Sequence, residues 1–278
     1  MRSGFATLLG RPNVGKSTLL NQILGAKVSI VSNKVQTTRN AVRGVLTRPD
    51  AQIVFVDTPG IHKPRTRLGT RLNATAEDAL DGVDVVCLLL DATAPMGRGD
   101  EYVASLCPPD ALVVVNKIDR ASKDQVLAQL VAASALERAD YFPVSAKTGE
   151  GVDVFVDAIV ARLPEGPLLY PADQISDTSD EAWLSELVRE QLLAVLREEL
   201  PHSIACRVVD WDGPVVKVEI LVERDSQKGI VIGRGGEVLK QVGIAVREQM
   251  PEGLFIDLVV KVEKNWQRRD ASLDRLGY

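Results

Sequence analysis

Short apolar runs alternate with longer mixed stretches along the first 165 residues. Phe5–Leu9, Ile53–Val56, Val85–Leu90, Leu112–Val115 and Tyr141–Val144 are β-type runs, each followed by turn chemistry and then a longer segment. That rhythm predicts an α/β domain over residues 1–165, a mostly parallel sheet with helices on both faces. Sheets of this kind bind ligands at the carboxyl ends of their strands.

The texture then changes. Pro164, Pro167 and Pro171 stand with Glu165, Asp173, Asp177 and Asp180 and no basic residue, which predicts an exposed linker over 166–180. Beyond it, Leu184, Leu187, Val188, Leu192, Val195, Leu196 and Leu200 recur at helical spacing, predicting an amphipathic helix over 181–199. Val216, Val218, Ile220 and Val222 alternate with more polar positions, as do Ile256, Leu258, Val260 and Val262. With a helical segment near 236–249 between these strands, residues 181–278 read as a second, α+β domain.

Composition sharpens this picture. A chain of 278 residues has room for two cores, and 45% hydrophobic with 26% charged residues excludes a disordered or fibrous protein. The net charge of −5 argues against a partner held by bulk positive charge. The charge is unevenly spread, however: Ser226–Arg269 holds 8 basic and 5 acidic residues, which permits a narrow groove for a short single strand. Cys87, Cys107 and Cys206 form no CxxC pair, so neither a disulfide framework nor a zinc site is indicated, and a reducing cytoplasm is the simplest compartment. The longest apolar run, Val85–Leu90, is far short of the roughly 18 residues that span a bilayer, so no transmembrane segment is expected.

The chemistry is concentrated at the ends of the predicted strands. Gly10-Arg11-Pro12-Asn13-Val14-Gly15-Lys16-Ser17-Thr18 follows the first run and fits G-x-x-x-x-G-K-[ST]. Glycines let backbone N–H groups curl around phosphates, Lys16 bridges the β- and γ-phosphates, and Ser17 offers its hydroxyl to Mg2+. Asp57-Thr58-Pro59-Gly60-Ile61 ends the next buried run, placing a carboxylate where it holds Mg2+ through water and a Gly60 N–H near the γ-phosphate. Asn116-Lys117-Ile118-Asp119 ends another. Asp119 is suited to the N1–H and 2-amino groups of guanine, which adenine lacks, and the stem of Lys117 to the purine face. Ser145-Ala146-Lys147 follows the last run and offers a backbone N–H to the guanine O6. Each motif alone is weak, but four in this order, each at a strand end, point to GTP and GDP.

At this point residues 1–165 resemble the translation-factor-like class of small GTPases. Gln36-Thr37-Thr38-Arg39 then falls where a switch loop belongs, and resemblance to bacterial GTPases carrying a TTR sequence favours Thr38 as the Mg2+ ligand, with Thr37 second. Lys16, Thr38 and Gly60 are thus the expected phosphate- and water-positioning groups. Ile61 stands where a water-orienting glutamine would be, and His62 beside it is an unpromising base. Asn13 resembles the P-loop asparagine of GTPases in which K+ replaces an arginine finger.

Ile232-Gly233-Arg234-Gly235-Gly236 lies in the order helix, strand, strand, short helix, GxxG, helix, strand, which resembles a type II KH domain. Such a loop clamps about four nucleotides of a single strand, so Lys228, Ile232, Gly233, Arg234, Gly235, Gly236 and Lys240 are candidate RNA-binding residues. One departure is Gly235, where a basic or polar residue is usual. The two halves together, with GRPNVGKSTL, QTTR, DTPG, NKID, SAK, VIGRGG and VKVEKNW, resemble the Era family across essentially all 278 residues. The resemblance implies a cytoplasmic ribosome-assembly GTPase that binds the 3′ end of small-subunit ribosomal RNA, with some peripheral membrane contact. A P-loop phosphotransferase and an RNA-binding scaffold with a dead nucleotide site are the competing readings. Asp119 speaks against the first, and intact Lys16, Ser17 and Asp57 speak against the second.

Overall fold

The computed structural model describes every residue, Met1–Tyr278, and the chain divides into two compact units. The first holds β1 (Arg2–Gly10), α1 (Lys16–Leu24), β2 (Val42–Thr47), β3 (Ala51–Asp57), most of α2 (Arg67–Asp78), β4 (Val85–Asp91), α3 (Arg98–Leu106), β5 (Leu112–Asn116), α4 (Lys123–Ser134), β6 (Asp140–Pro143) and α5 (Val152–Arg162). Its sheet runs β2-β3-β1-β4-β5-β6, parallel except for the β2–β3 pair.

Both faces of the central strands are covered, which is why those strands read as unbroken apolar runs. Leu8, Phe55, Leu89 and Val114 pack with Leu19, Leu20, Phe155 and Ile159 of α1 and α5. On the other face Leu9, Leu88, Leu90 and Val113 pack with Ala76, Val103 and Ala133 of α2, α3 and α4. Strand β2 escaped the sequence reading because it is half-buried, with Arg43 exposed and Gly44 in mid-strand. The glycine has a packing reason: a Cβ there would meet Leu24 Cδ1 at 2.5 Å.

Much of the segment expected as a linker, 166–180, is exposed but hydrogen-bonded to the first unit. Gly166 N–H donates to Met1 O at 3.2 Å, and Val45 N–H of β2 donates to Ile175 O at 2.9 Å. Ser176 Oγ donates to Arg43 O at 2.9 Å, and Arg43 pairs with Asp177. The buried Gln52 side chain accepts from Leu169 N–H at 2.7 Å and Tyr170 N–H at 3.0 Å and donates to Tyr170 O at 2.9 Å. Residues up to Asp177 therefore belong to the first unit as a strap that covers the open edge of β2. The prolines prevent regular secondary structure there without preventing attachment.

The second unit comprises Thr178–Tyr278 together with two short pieces from earlier in the chain, Ser32–Thr37 and Arg65–Leu68. Its elements are α6 (Asp180–Val195), β7 (Ala205–Asp212), β8 (Val215–Val222), α7 (Asp225–Ile232), α8 (Glu237–Arg247), β9 (Phe255–Val262) and α9 (Asp270–Leu276). The sheet runs β7-β8-β9, with β7–β8 antiparallel and β8–β9 parallel. Val216, Val218, Ile220 and Val222 are fully buried, as their alternation predicts. Strand β7 has no clean alternation because its register shifts between Val208 and Asp210. Helix α6 stops at Val195, four residues earlier than its periodicity suggests; Leu196 is extended but still buried. Glu219 of β8 is buried between Arg207 of β7, at 2.6 Å, and Lys261 of β9. No helix in the chain is long and apolar enough to cross a membrane.

Candidate functional site

The P-loop joins β1 to α1. Asn13 and Gly15 both have positive φ, 66° and 101°, which only a glycine adopts without strain in the second case. Gly15 is also required sterically, since a Cβ would meet Asn116 Nδ2 at 2.3 Å. Lys16 is buried beneath the loop, and its Nζ donates to the carbonyls of Gly10 and Arg11, each at 3.3 Å. Burial lowers its pKa to about 8, with Asp57 pulling the other way, so an incoming polyanion would restore full protonation. Pro12 lies against Gly60, where a Cβ would come within 2.7 Å of Pro12 N and Cα. Arg11 faces outward and pairs with Asp100 at 3.2 Å. Thr18 is partly buried in the first turn of α1, and Val14 has its side chain in the core.

Around Asp57 the structure gathers the residues expected to hold a cation. Ser17 Oγ donates to Asp57 Oδ2 at 2.7 Å and lies 2.9 Å from Thr38 Oγ1, which is itself 3.5 Å from Asp57 Oδ2. Thr37 is placed elsewhere: its hydroxyl bonds Ser32 Oγ at 2.6 Å and donates to Lys34 O at 2.7 Å. Burial pushes the Asp57 carboxyl up, against the attraction of Lys16 and the hydroxyls of Ser17, Ser29 and Thr38. Its Oδ1 is buried with no hydrogen-bond partner. A desolvated carboxylate with an uncommitted oxygen, beside two hydroxyls, is an all-oxygen donor set that fits Mg2+. Sequence reasoning missed Ser29, whose Oγ donates to Asp57 Oδ2 at 2.9 Å; a lone serine in a loop carries no signal for that role.

Two side chains of the Asp57–Ile61 motif turn inward. Thr58 Oγ1 donates to Leu8 O at 2.8 Å, so its hydroxyl fastens β3 to β1. Ile61 is only 2% exposed and packs with Leu9, Val86 and Leu88, so its side chain lies in the core. Pro59 precedes Gly60 at the buried end of β3. His62 is held within its own loop, Nδ1 lying 3.1 Å from Gly60 O.

The base-recognition motifs converge on Asn116. Its Nδ2 donates to Val14 O at 2.8 Å, while its Oδ1 accepts from Ala146 N–H at 2.9 Å and Lys117 N–H at 2.7 Å. One buried amide thereby ties the P-loop, NKID and SAK together. Ser145 Oγ donates to Asp119 Oδ1 at 2.7 Å, orienting that carboxylate, and Lys147 is exposed beside them. Lys117 Nζ donates to Asn13 O and to Asp91 Oδ2, both at 2.6 Å. Asp91, at the carboxyl end of β4, was also missed, although its place after Leu88–Leu90 was a usable signal.

In the second unit, Gly233–Gly236 connects α7 to α8. Gly233 has φ 77° and ψ 171°, and a Cβ there would meet Val238 N at 2.8 Å. Gly235 and Gly236 are left-handed, at φ 62° and 83°. Arg234 and Lys240 are exposed, and Lys228 and Ile232 are half-buried on α7, so Lys228 and Lys240 flank the glycine turn on adjoining helices and Arg234 sits within it. At Gly235 nothing lies within 4 Å of an added Cβ, so glycine is favoured by backbone conformation, not by crowding.

Known proteins agree with both halves. The family described as "50S ribosome-binding GTPase" matches residues 5–117, and the one described as "KH domain" matches residues 199–267. GTPase Era of Mycobacterium bovis is 47% identical over 99% of this chain and 98% of its own length. GTPase Era of Mycobacterium avium is also 47% identical, covering 100% and 99%. Among solved structures, an Aquifex aeolicus Era variant bound to GDP.AlF4- superposes with a TM-score of 0.94 at 37% identity, covering 100% of this chain and 99% of that one. An Era complex with MgGDPNP and nucleotides 1506–1542 of 16S ribosomal RNA gives the same TM-score, identity and coverage. With a P-loop GTPase unit followed by a KH domain, and these likenesses along its full length, the chain belongs to the Era family of GTPases.

Proposed function

We propose that this GTPase is a nucleotide-controlled RNA-binding protein whose KH domain takes the 3′ end of small-subunit ribosomal RNA and which acts in small-subunit assembly. The observation that carries the coupling is the membership of the second unit. Ser32–Thr37 precedes Thr38, and Arg65–Leu68 follows the Asp57–Gly60 motif, yet both pieces cluster with the domain that bears Gly233–Gly236. The two loops that would respond to a γ-phosphate are therefore shared with the RNA-binding fold. The 16S RNA in the related Era complex supports the choice of ligand.

In this reading Ser17 and Thr38 hold Mg2+ directly and Asp57 holds it through water. The ion supplies Lewis-acid neutralisation of β- and γ-phosphate charge. Lys16 spans the same phosphates, and Gly60 presents its N–H to the γ-phosphate. With Ile61 in the core, no side chain at that position polarises water, so hydrolysis relies on electrostatic positioning and is slow. Asn13 is the residue that would hold K+, whose charge would then stand in for an arginine finger. Asp119 selects guanine, while Arg234, Lys228 and Lys240 meet the RNA backbone.

The test is the affinity of the full chain for a single-stranded oligonucleotide of the small-subunit 3′ terminus, measured with GDP and with a non-hydrolysable GTP analogue. The expected result is a several-fold difference, since a ligand shifts a conformational equilibrium only by its differential affinity. Equal affinities in the two states would overturn the switch. Single-turnover hydrolysis is expected to be faster in K+ than in Na+, and Asn13→Ala to remove that difference.

A further inference from the structure

Resting on the reading of Thr38 as the Mg2+ ligand, we infer that Arg189 is a positioning residue for GTP hydrolysis, holding Thr38 in place by gripping the peptide that precedes it. Arg189 lies on α6, in the second unit, and its side chain has no exposure. Its Nε donates to Glu186 Oε1 at 2.8 Å, and Nη2 pairs with Glu186 Oε2. The remaining donors turn to backbone of the same unit: Nη2 donates to Thr37 O, and Nη1 reaches Gln36 O at 3.5 Å.

A buried guanidinium is always charged, so it needs both a counter-ion and acceptors for its fixed fork of N–H groups. Glu186 provides the first. The acceptors are two consecutive carbonyls of one short loop, and that loop is built to present them. Thr37 Oγ1 bonds Ser32 Oγ and Lys34 O, Lys34 N–H donates to Ser32 Oγ at 3.1 Å, and Gln36 has a left-handed φ of 63°. The Thr37 carbonyl and the Thr38 N–H belong to one planar peptide, so fixing the carbonyl fixes the direction in which Thr38 leaves the loop. Thr38 is buried, with Oγ1 2.9 Å from Ser17 Oγ.

The consequence is specific to one nucleotide state. In this reading Thr38 would bind the ion while a γ-phosphate is present and not with GDP, so loosening its preceding peptide would weaken the GTP–Mg2+ complex and spare GDP. The same contact lets α6 sense whether Thr38 is engaged, and α6 is fastened to β7 by Ser185, whose Oγ accepts from Val208 N–H at 2.9 Å.

The experiment compares wild type, Arg189→Lys, Arg189→Gln, Thr38→Ala and the double variant Thr38→Ala/Arg189→Gln, all as the full chain. Arg189→Gln is expected to lower kcat about tenfold and raise the Mg2+ concentration for half-maximal hydrolysis several-fold, with GDP affinity unchanged. Arg189→Lys keeps the charge but not the fork, and falls between; it also serves if the glutamine variant does not fold. In the Thr38→Ala background, Arg189→Gln is expected to add nothing, because the two act as one unit. A purely structural arginine would instead lower melting temperature and GDP affinity together and add its loss on top of Thr38→Ala; either outcome overturns the proposal. If Thr38→Ala itself leaves the Mg2+ requirement unchanged, the reading of Thr38 fails. If Thr38→Ala raises that requirement while both Arg189 variants behave as wild type, the role of Arg189 alone fails.

Discussion

Asp91 accepts a hydrogen bond from Lys117 Nζ at 2.6 Å, and through that ammonium it is joined to the P-loop carbonyl of Asn13. The carboxylate is itself immobilised, its Oδ1 accepting from Thr93 N–H at 2.8 Å and Thr93 Oγ1 at 2.6 Å. The lysine proposed to lie over the base is thus held from β4, a strand that contributes no named nucleotide motif.

Replacing Asp91 by Asn keeps the shape and removes the charge. A charge-assisted bond of this kind, partly exposed, contributes about 1 kcal/mol, so GDP and GTP affinities should each fall about fivefold. Both nucleotides should be affected equally because the contact is to the base side of the site. Calorimetric titration with the two nucleotides would check it, and a loss confined to GTP would contradict it.

Base choice should follow Asp119. In the proposed reading its carboxylate, oriented by Ser145, would accept from two donors on guanine, and Asp119→Asn presents one donor and one acceptor instead. GTP affinity should drop by at least about a hundredfold, while xanthosine triphosphate, which carries an oxygen where guanine has its 2-amino group, should gain. Competition against a fluorescent guanine nucleotide measures both.

Gly235 offers a test in which two readouts move in opposite directions. A lysine there meets no neighbouring atom within 4 Å, but must adopt φ 62°. Gly235→Lys should lower stability by about 1 kcal/mol and increase the salt dependence of RNA binding by about one counterion, with tighter binding at low salt. Thermal melts and a salt titration of RNA affinity supply the two measurements.

The Arg207–Glu219–Lys261 arrangement makes a pH prediction. Burial pushes the Glu219 carboxyl up, but its hydrogen-bonded partners Lys261 and Arg207 outweigh this and hold it below the ordinary 4.5. A lowered carboxyl stabilises the fold fully above its unfolded value and loses that contribution as pH falls through the folded one. Wild type should therefore exceed Glu219→Gln by about 1–2 kcal/mol at pH 7, with the gap closing below pH 4.5. Denaturant melts at pH 7 and at several acidic pH values would show whether the curves converge.

How far the sequence could carry this reading depended on which force shaped each segment. Strands buried on both faces, such as Val85–Asp91 and Leu112–Asn116, are apolar throughout, and their motifs sit at predictable ends. Strand β2 was invisible because an edge position breaks its alternation, and β7 could be counted in the order of elements but not bounded, because a register shift breaks its pattern. Asn116 was readable as part of a motif, but its role as a tie between three loops was not, because only the fold brings Val14 and Ala146 to it. The choice between Thr37 and Thr38 is likewise tertiary: adjacent residues of one type differ only in what their hydroxyls meet. That Ile61 turns into the core was not readable either, because chain position says nothing about which way a side chain turns.

The strap along β2 also decides where this protein can be divided. A chain ended after Arg162 or Leu163, at the close of α5, would retain all the nucleotide motifs and look whole by sequence. It would nevertheless strip Gln52 of Leu169 and Tyr170, leaving a buried amide in the central sheet without those partners and the outer edge of β2 open to pairing with another copy. An excised nucleotide unit that stays soluble must therefore run to Asp177, and protease nicking between the units should fall after that residue, not at the prolines that first suggested a boundary.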